Sequence, residues 1–206
     1  MKTDKTPNDV YFCEYNTPKN FSDIILFSDG FVLTGLYFMK DSVEENVKIG
    51  DEKSVENGGK KNDEKNRNIS GENLFTGRKS LKNPDLAVFK KTKNWLDIYF
   101  GGGVPDFCPE FSIDGETDFQ KEVAAEMLKI PYGKSVCYGF IADRIAQKRK
   151  IKKMSAQAVG CAAKANRICL IIPCHRVTGK NGELTGYGGG INNKKELLKL
   201  EKIEFN

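Results

Sequence analysis

The chain has 206 residues, of which 39% are hydrophobic, so it can bury a core as one large or two small domains. No stretch approaches the roughly 18 apolar residues of a membrane span, and the start lacks the apolar core of a signal peptide; we expect a cytoplasmic protein. Its 6 cysteines include no Cys-x-x-Cys pair, and a single histidine gives no zinc-ligand spacing. We therefore expect reduced thiols and no metal site.

Positive charge is concentrated in the C-terminal part of the chain. Residues 121–206 carry 17 Lys and Arg against 7 Asp and Glu, a net charge of +10, although the whole chain carries only +5. Nucleic acid is the simplest partner for such a segment, and a solvated lysine-rich surface is the alternative.

The N-terminal part predicts a sheet that is interrupted by an insertion. Two apolar runs, 24–27 and 31–38, flank Ser28-Asp29-Gly30, whose turn chemistry predicts a β-hairpin. Residues 41–73 contain no aromatic side chain but 9 acidic and 6 basic ones. This composition predicts a flexible surface insertion, and a functional charged segment is the alternative.

A helix and a linker then predict the end of the first domain. Leu86, Phe89, Leu96 and Phe100 share one helical face, and three glycines at 101–103 end that helix. A linker with two prolines follows. We therefore expect a boundary near residues 103 to 114, with an N-terminal domain at 1–108 and a C-terminal domain at 109–206.

The C-terminal part predicts three helices. Thr117-Asp118-Phe119-Gln120 reads as a capping box, and the face that continues through Val123 and Met127 predicts the first helix. The second runs from Tyr138 to Ala146, and the third, which Ser155 can cap, runs to Lys164. Phe140, Ile141 and Ile145 form the predicted apolar face of the second helix. The basic loop Lys148–Lys153 connects the second helix to the third. Two short helices joined by a basic loop favour a helix-turn-helix, although helical hairpins are common.

The third helix carries unusually small side chains, which suggests that something approaches it closely. Tight packing against another helix explains part of this pattern, and the backbone or groove of DNA explains the exposed part. The small residues are Ala156, Ala158, Gly160, Ala162 and Ala163.

Cys174 is followed directly by His175, the only histidine of the chain. A thiol reacts as its thiolate, and an adjacent imidazole can lower the thiol pKa or take up its proton. The apolar run 168–172 predicts a strand that Pro173 ends just before the sulfur. A packed core thiol is the alternative.

These features together resemble the methylated-DNA-protein-cysteine methyltransferases, the O6-alkylguanine-DNA alkyltransferases. The resemblance covers about residues 119–201 and is weaker for the hairpin at 21–38. It rests on Ile130 to Gly133, Tyr138, Ala158 to Gly160, Asn166, Pro173 to Val177, Tyr187 to Gly190, and Leu197-Leu198-x-x-Glu201.

The resemblance implies a ribonuclease-H-like α/β N-terminal domain and a mainly helical C-terminal domain with a helix-turn-helix of winged-helix type. In that family the second helix of the motif enters the minor groove of double-stranded DNA, where bulky side chains would hold it out. The residues expected to contact DNA are Tyr138, Lys148, Arg149, Lys150, Lys152, Lys153, Ser155, Ala156, Gln157, Ala158, Gly160 and Arg176.

The implied activity is direct repair of DNA. Cys174 would accept the alkyl group of O6-alkylguanine, mainly O6-methylguanine, with O4-methylthymine as a further candidate. His175 would contact the sulfur through water and be oriented by Glu201. No residue can cleave the resulting thioether, so we expect each molecule to react once. We expect no cofactor and no metal, and we expect the protein to be a monomer.

The resemblance also implies a pocket for the flipped base. Tyr138 would donate to a ring nitrogen, Tyr187 would form a wall, and the backbone N–H of Gly188 would donate to O6 where some members have serine. The carbonyl groups of Cys174 and Val177 would accept from the guanine amino group. Asn166 resembles a hinge asparagine of the family, and a helix C-cap is its alternative role.

One position departs from the family. The best-known members carry an arginine at the place of Gln157, where it fills the space left by the extruded base. Glutamine can fill that space and bond the orphaned cytosine, but it carries no charge. We expect phosphate contacts from the basic loop, which is five residues longer than in the family, to offset this loss.

Two other classes of function remain open. A non-enzymatic helix-turn-helix regulator or lesion-sensing protein would keep the DNA-binding elements without the chemistry. A cysteine hydrolase would need a histidine that reaches Cys174 from elsewhere in the fold. The combination of Cys174, His175 and Glu201 favours alkyl transfer over both.

Overall fold

The computed structural model describes residues 9–39 and 80–206, so the predicted insertion at 41–73 lies outside the described residues. Among the described residues, no helix is both long and apolar enough to cross a lipid bilayer.

A four-stranded sheet forms the N-terminal layer. Its strands are β1 (Val10–Tyr15), β2 (Ile24–Ser28), β3 (Leu33–Phe38) and β4 (Ser80–Lys82), in the order β3-β2-β1-β4. β2 pairs antiparallel with both β1 and β3, whereas β4 runs parallel to β1. The β2–β3 pair confirms the predicted hairpin.

The first helix, α1 (Ala87–Phe100), packs on this sheet and ends at Gly101, as predicted. Phe89 and Leu96 of its predicted face are fully buried, and so is Tyr99. Trp95 is also buried, and its ring stacks on that of Tyr99 with centroids 5.3 Å apart.

The remaining elements form a helical unit with a small parallel sheet. They are α2 (Asp118–Met127), β5 (Val136–Cys137), α3 (Tyr138–Arg149), α4 (Ala156–Lys164), β6 (Val177–Thr178) and α5 (Ile191–Leu200). Both side-chain bonds of the predicted capping box are present at Thr117 and Gln120. The side chain of Ser155 accepts from the backbone N–H of Ala158 at 3.2 Å, which confirms the predicted cap of α4.

Packing among α2, α3 and α4 accounts for part of the small-residue pattern. Ala162 and Ala163 are buried, which agrees with the interpretation that small residues allow tight packing against another helix. The predicted apolar face of α3 is wrong at Phe140, because this side chain is 48% exposed whereas Ile141 and Ile145 are buried. Arg144 lies over the outward-facing ring of Phe140, 5.8 Å from its centroid.

The sheet and the helical unit share one hydrophobic core, which runs from Cys13 on β1 to Leu197 on α5. Strand β3 also bonds directly to the chain beyond α4: Leu36 N donates to Arg167 O at 2.8 Å, and Cys169 N donates to Leu36 O at 3.0 Å. The segment that leads to Cys174 is thus anchored on the N-terminal sheet. The division between residues 108 and 109 stays a prediction.

Candidate active site

The segment before Cys174 forms a tight series of turns, and the predicted strand is wrong. Ile168 makes one isolated bridge with Leu36, after which Ile172 N donates to Ile168 O at 3.0 Å. Leu170 lies in the left-handed region with φ of 69°. The run is buried and apolar, and a short run of this kind is not distinguished from a strand by its sequence pattern. Cys174 begins a 3-10 turn that extends to Arg176.

Asn166 holds these turns and also contacts the sulfur. Its Nδ2 donates to Ile172 O at 2.9 Å and to Cys174 Sγ at 3.0 Å, and its Oδ1 accepts from Ile168 N at 3.0 Å. The C-cap of α4 is Ala165, so the alternative role of Asn166 as that cap is wrong. The amide side chain instead fixes the sulfur relative to its own loop.

The surroundings of Cys174 favour its thiolate. A hydrogen bond with the Cys169 thiol is the main effect that lowers the pKa of Cys174, and the bond from Asn166 adds to it, against the opposing effect of burial. The Lys194 ammonium group acts in the same direction. Conversely, the hydrogen bond with Cys174 and burial raise the pKa of the Cys169 thiol. Cys174 is therefore the more acidic thiol of the pair, although it is only 5% exposed.

His175 is fully buried beside the Glu201 carboxylate. Its Nε2 lies 2.8 Å from Glu201 Oε1, and its Nδ1 has no hydrogen-bond partner among the described residues. Burial lowers the pKa of His175 although Glu201 opposes this effect, so the imidazole is neutral near pH 7. The contact between His175 and Glu201 is thus present, whereas the water-mediated contact with the sulfur stays a prediction.

Glu201 lies at the centre of this polar cluster. Arg176 binds it with two donors, Nε to Oε2 at 2.8 Å and Nη2 to Oε1 at 3.0 Å, and the backbone N–H of Gly133 donates to Oε2 at 3.1 Å. Burial opposes its ionisation, but hydrogen bonds from His175 and Arg176 outweigh burial and lower the pKa of Glu201 to about 2. Glu201 is therefore a permanent anion at neutral pH.

The placement of Arg176 argues against the DNA contact that was predicted for it. Besides its two bonds to Glu201, Nη1 donates to Ile130 O at 2.8 Å, and the guanidinium lies over the Tyr132 ring. Its planar group is already matched to a carboxylate within the protein, which is the geometry that arginine favours.

Two buried residues near this cluster, Tyr99 and Lys194, are not among the site residues that the sequence predicts. Lys194 is fully buried, and its Nζ donates to Val177 O at 2.6 Å. Burial lowers the pKa of Lys194 to about 8. A helical pattern could have revealed it, because Lys194, Leu197, Leu198 and Glu201 follow one another at helical spacing on one face. Tyr99 lies in α1, far from the motif in sequence, and no local pattern points to it.

Tyr138, Tyr187 and Gly188, which are predicted to hold a base, make contacts within the protein. Thr185 Oγ1 donates to the Tyr138 hydroxyl at 3.1 Å, so the proton of that hydroxyl is available for another acceptor. Tyr187 is buried, and burial raises its pKa well above the ordinary value. A Cβ at Gly188 would lie 2.9 Å from Lys164 O, too close to the backbone for serine without a shift. Packing against the end of α4 thus explains glycine at this position.

The basic loop and the start of α4 form an exposed surface. Lys148, Lys150, Lys152, Lys153 and Gln157 are exposed, whereas Met154 is partly buried against the core. Next to them, a groove of about 480 Å³ lies between α3 and the start of α4, lined by Gly139, Ala142, Asp143, Lys153, Met154, Ser155 and Ala156.

Arg149 differs from the lysines of the basic loop. Its Nε donates to Glu122 on α2 at 2.9 Å, and its guanidinium lies 5.5 Å from the centroid of the Phe119 ring. Gly160 of α4 faces inward, where an added Cβ would lie 3.7 Å from the Tyr138 ring. The predicted DNA contacts therefore fall into an exposed set without such contacts, led by the lysines and Gln157, and a set that already binds other residues of the protein.

Within residues 9–39 and 80–206, no group of three or more His, Cys, Asp or Glu side chains is arranged to hold a metal ion.

Comparisons with known proteins agree with this geometry. The family model "6-O-methylguanine DNA methyltransferase, DNA binding domain" matches residues 118–203. The methylated-DNA–protein-cysteine methyltransferase of Mycobacterium tuberculosis is 47% identical over 119 residues, which cover 58% of this chain and 68% of the relative.

Two solved structures extend the similarity to the N-terminal part. The crystal structure of Mycobacterium tuberculosis O6-methylguanine methyltransferase superposes with a TM-score of 0.65 at 33% identity, covering 94% of this chain and 93% of the other. A crystal structure of Mycobacterium tuberculosis OGT in complex with DNA gives a TM-score of 0.64 at 31% identity, covering 94% and 92%. Both superpositions therefore include the N-terminal α/β part of this chain as well as its helical part.

Proposed function

The chain belongs to the methylated-DNA–protein-cysteine methyltransferases, and from this premise we propose that Cys174 accepts an alkyl group from O6-alkylguanine in DNA. The observation that carries the proposal is a buried thiol of lowered pKa, next in sequence to an imidazole whose Nε2 is paired with a carboxylate. This combination prepares a nucleophile and a proton acceptor in one place.

The reaction needs a flipped nucleotide, since the buried Cys174 thiol cannot reach O6 while the guanine stays stacked in the duplex. The Cys174 sulfur attacks the alkyl carbon, the carbon–sulfur bond forms, and the carbon–oxygen bond breaks with its electron pair left on guanine. His175 takes the thiol proton through a water molecule, and Glu201 stabilises the imidazolium that results. The thioether product is stable, so each molecule reacts once and uses no cofactor.

The base pocket stabilises the charge that develops on guanine. Tyr138 donates its free hydroxyl proton to a ring nitrogen, and the backbone N–H of Gly188 donates to O6. Val177 O already accepts from Lys194, but a carbonyl oxygen has a second lone pair for the guanine amino group. Tyr187 forms the pocket wall, and Asn166 holds the sulfur in line with the alkyl carbon.

The DNA partner is double-stranded, with α3 and α4 acting as a helix-turn-helix and α4 entering the minor groove. The cap at Ser155, the small residue Ala156 and the adjacent groove support this arrangement. We extend the proposal to a ribonuclease-H-like N-terminal part and a winged-helix-like C-terminal part. The protein would act as a monomer in the cytoplasm.

The basic loop compensates for Gln157 in this account. Gln157 is exposed at the start of α4 and brings no charge to the stack it would enter, whereas four exposed lysines lie just before it in the chain. Phosphate contacts raise affinity through counterion release and do not depend on sequence. Affinity lost at the extruded base would thus be regained on the backbone.

Intact-protein mass spectrometry tests the function. Mixed with a duplex that contains O6-methylguanine, the protein should gain one methyl group and no more, even with excess duplex. The same duplex containing guanine is the matched control and should leave the mass unchanged. Absence of the adduct together with specific binding to an undamaged sequence would instead support the regulator.

A further inference from the structure

Tyr99 reaches the polar cluster from α1, outside the helical unit that carries Cys174. Its hydroxyl donates to Glu201 Oε1 at 2.6 Å, and its oxygen lies 3.3 Å from His175 Nε2. The residue is 1% exposed. The matched family model covers residues 118–203 only, so it does not include this tyrosine.

The hydroxyl of Tyr99 is a permanent donor. Burial and the Glu201 carboxylate raise the pKa of Tyr99 well above its ordinary value, so the hydroxyl keeps its proton at every working pH. Because that proton points to Glu201, the oxygen of Tyr99 faces His175 Nε2 with its lone pairs. Nε2 is therefore surrounded by two acceptors, Glu201 Oε1 and the Tyr99 oxygen.

Two acceptors around Nε2 favour one tautomer of the neutral imidazole. The proton belongs on Nε2, which leaves Nδ1 with a lone pair. Nδ1 is buried and has no hydrogen-bond partner among the described residues. It is thus the nitrogen able to receive the thiol proton.

We propose that Tyr99 is a positioning residue for alkyl transfer, whose hydroxyl holds Glu201 and His175 in the arrangement that keeps Nδ1 a proton acceptor. The proposal rests on the proposed function, and it makes the N-terminal part a participant in the chemistry.

The packing of Tyr99 supports a fixed position for its hydroxyl. The ring lies parallel to Trp95, with an interplanar angle of 8°, and meets Tyr132 edge-on at 80°. Neighbours on two sides therefore leave the ring one orientation, which directs the hydroxyl to Glu201 Oε1.

The test compares Tyr99→Phe with Tyr132→Phe in the full-length protein. Both variants remove one hydroxyl from neighbouring rings, but the Tyr132 hydroxyl donates to Leu200 O at 3.2 Å and not to Glu201. We expect Tyr99→Phe to slow methyl transfer about tenfold, a fraction of the range for general acid–base catalysis, and Tyr132→Phe to leave the rate within about twofold.

Nitrogen-15 NMR of the imidazole supplies a readout that loss of packing alone would not change. Because His175 is the only histidine, its signals need no assignment. In the DNA-free wild type, Nε2 should show the shift of a protonated nitrogen and Nδ1 that of a bare one. In Tyr99→Phe the two shifts should move towards each other as the second tautomer becomes populated.

Each outcome decides the matter. A slowed Tyr99→Phe with changed imidazole shifts supports the proposal, whereas a wild-type rate, or a slowed rate with unchanged shifts, overturns it. A wild-type protein that gains no methyl group would overturn the proposed function alone, because the spectrum of the DNA-free protein still tests the tautomer.

Discussion

The buried polar cluster and the exposed basic loop before α4 are built in opposite ways. In the cluster of Tyr99, His175, Arg176 and Glu201, one carboxylate accepts from three side chains and a backbone N–H. In the basic loop, most cations extend into solvent. Removing one group from the cluster leaves buried partners unsatisfied, whereas removing one lysine from the loop costs only one screened contact.

Glu201→Gln should have the largest effect. It removes the charge that compensates the partly buried Arg176, and we expect a loss of about 3 kcal/mol in the free energy of unfolding and at least ~100-fold in the rate of transfer. Denaturant titration and single-turnover kinetics measure the two effects. Glu196→Gln on the same helix, where Glu196 pairs only with the exposed Lys199, is the matched control and should cost less than about 1 kcal/mol.

The same variant gives a pH test of the cluster. The pKa of Glu201 is lowered to about 2 in the folded protein, against about 4.3 for an unperturbed glutamate. Its stabilising contribution is therefore complete above about pH 4.3 and is lost as the pH falls towards 2. Wild type should lose more stability than Glu201→Gln over that window, and equal losses would contradict the account.

Asn166→Ala should come next. It removes the donor to Cys174 Sγ and the bonds that hold the turns before it, so we expect about 2 kcal/mol of destabilisation and a transfer rate lowered about tenfold. The exposed Asn192→Ala is the control. The transfer rate is measured at a temperature below the unfolding midpoint of Asn166→Ala. A wild-type rate there would show that this amide does not contribute to the reaction.

The basic loop should give a smaller effect that depends on salt. Lys148, Lys150, Lys152 and Lys153 are changed together to glutamine, and Arg149 is kept because it binds Glu122. The slope of log affinity against log salt should fall by up to ~3.6, at about 0.9 for each lost phosphate contact. Methyl transfer at saturating DNA should stay unchanged. If affinity and slope both match wild type, the proposed compensation fails.

Gln157→Arg should give the smallest change and is the complement of the loop variant. The added charge should tighten binding about threefold at low salt, with less gain as salt rises. In the quadruple lysine variant the same substitution should restore part of the lost affinity. Equal affinities with and without it would show that this position contributes little.

The sequence predicted local elements better than the contacts of the buried cluster. The caps at Thr117 and Ser155 and the hairpin before β3 follow from local residue types, and they are present. The turns before Cys174 were predicted as a strand, because an apolar run buried on all sides has no periodicity that separates the two. The positions of Tyr99 and Arg176 depend on contacts between distant segments, which local patterns do not encode.

We expect Cys174 to be the one acceptor among 6 cysteines, because hydrogen bonds with Cys169 and Asn166 lower its pKa, whereas burial alone would not distinguish it from Cys13 and Cys169. Cys108 and Cys161 are exposed, so unselective alkylation would mark them first, whereas Cys174 is buried and next in sequence to His175. Peptide mapping by mass spectrometry, after reaction with a duplex containing O6-methylguanine, measures this choice directly. The account predicts a methyl group on the Cys174 peptide alone and none in Cys174→Ser. A methyl group on Cys161 or Cys108, or on Cys169 in the wild-type protein, would contradict it.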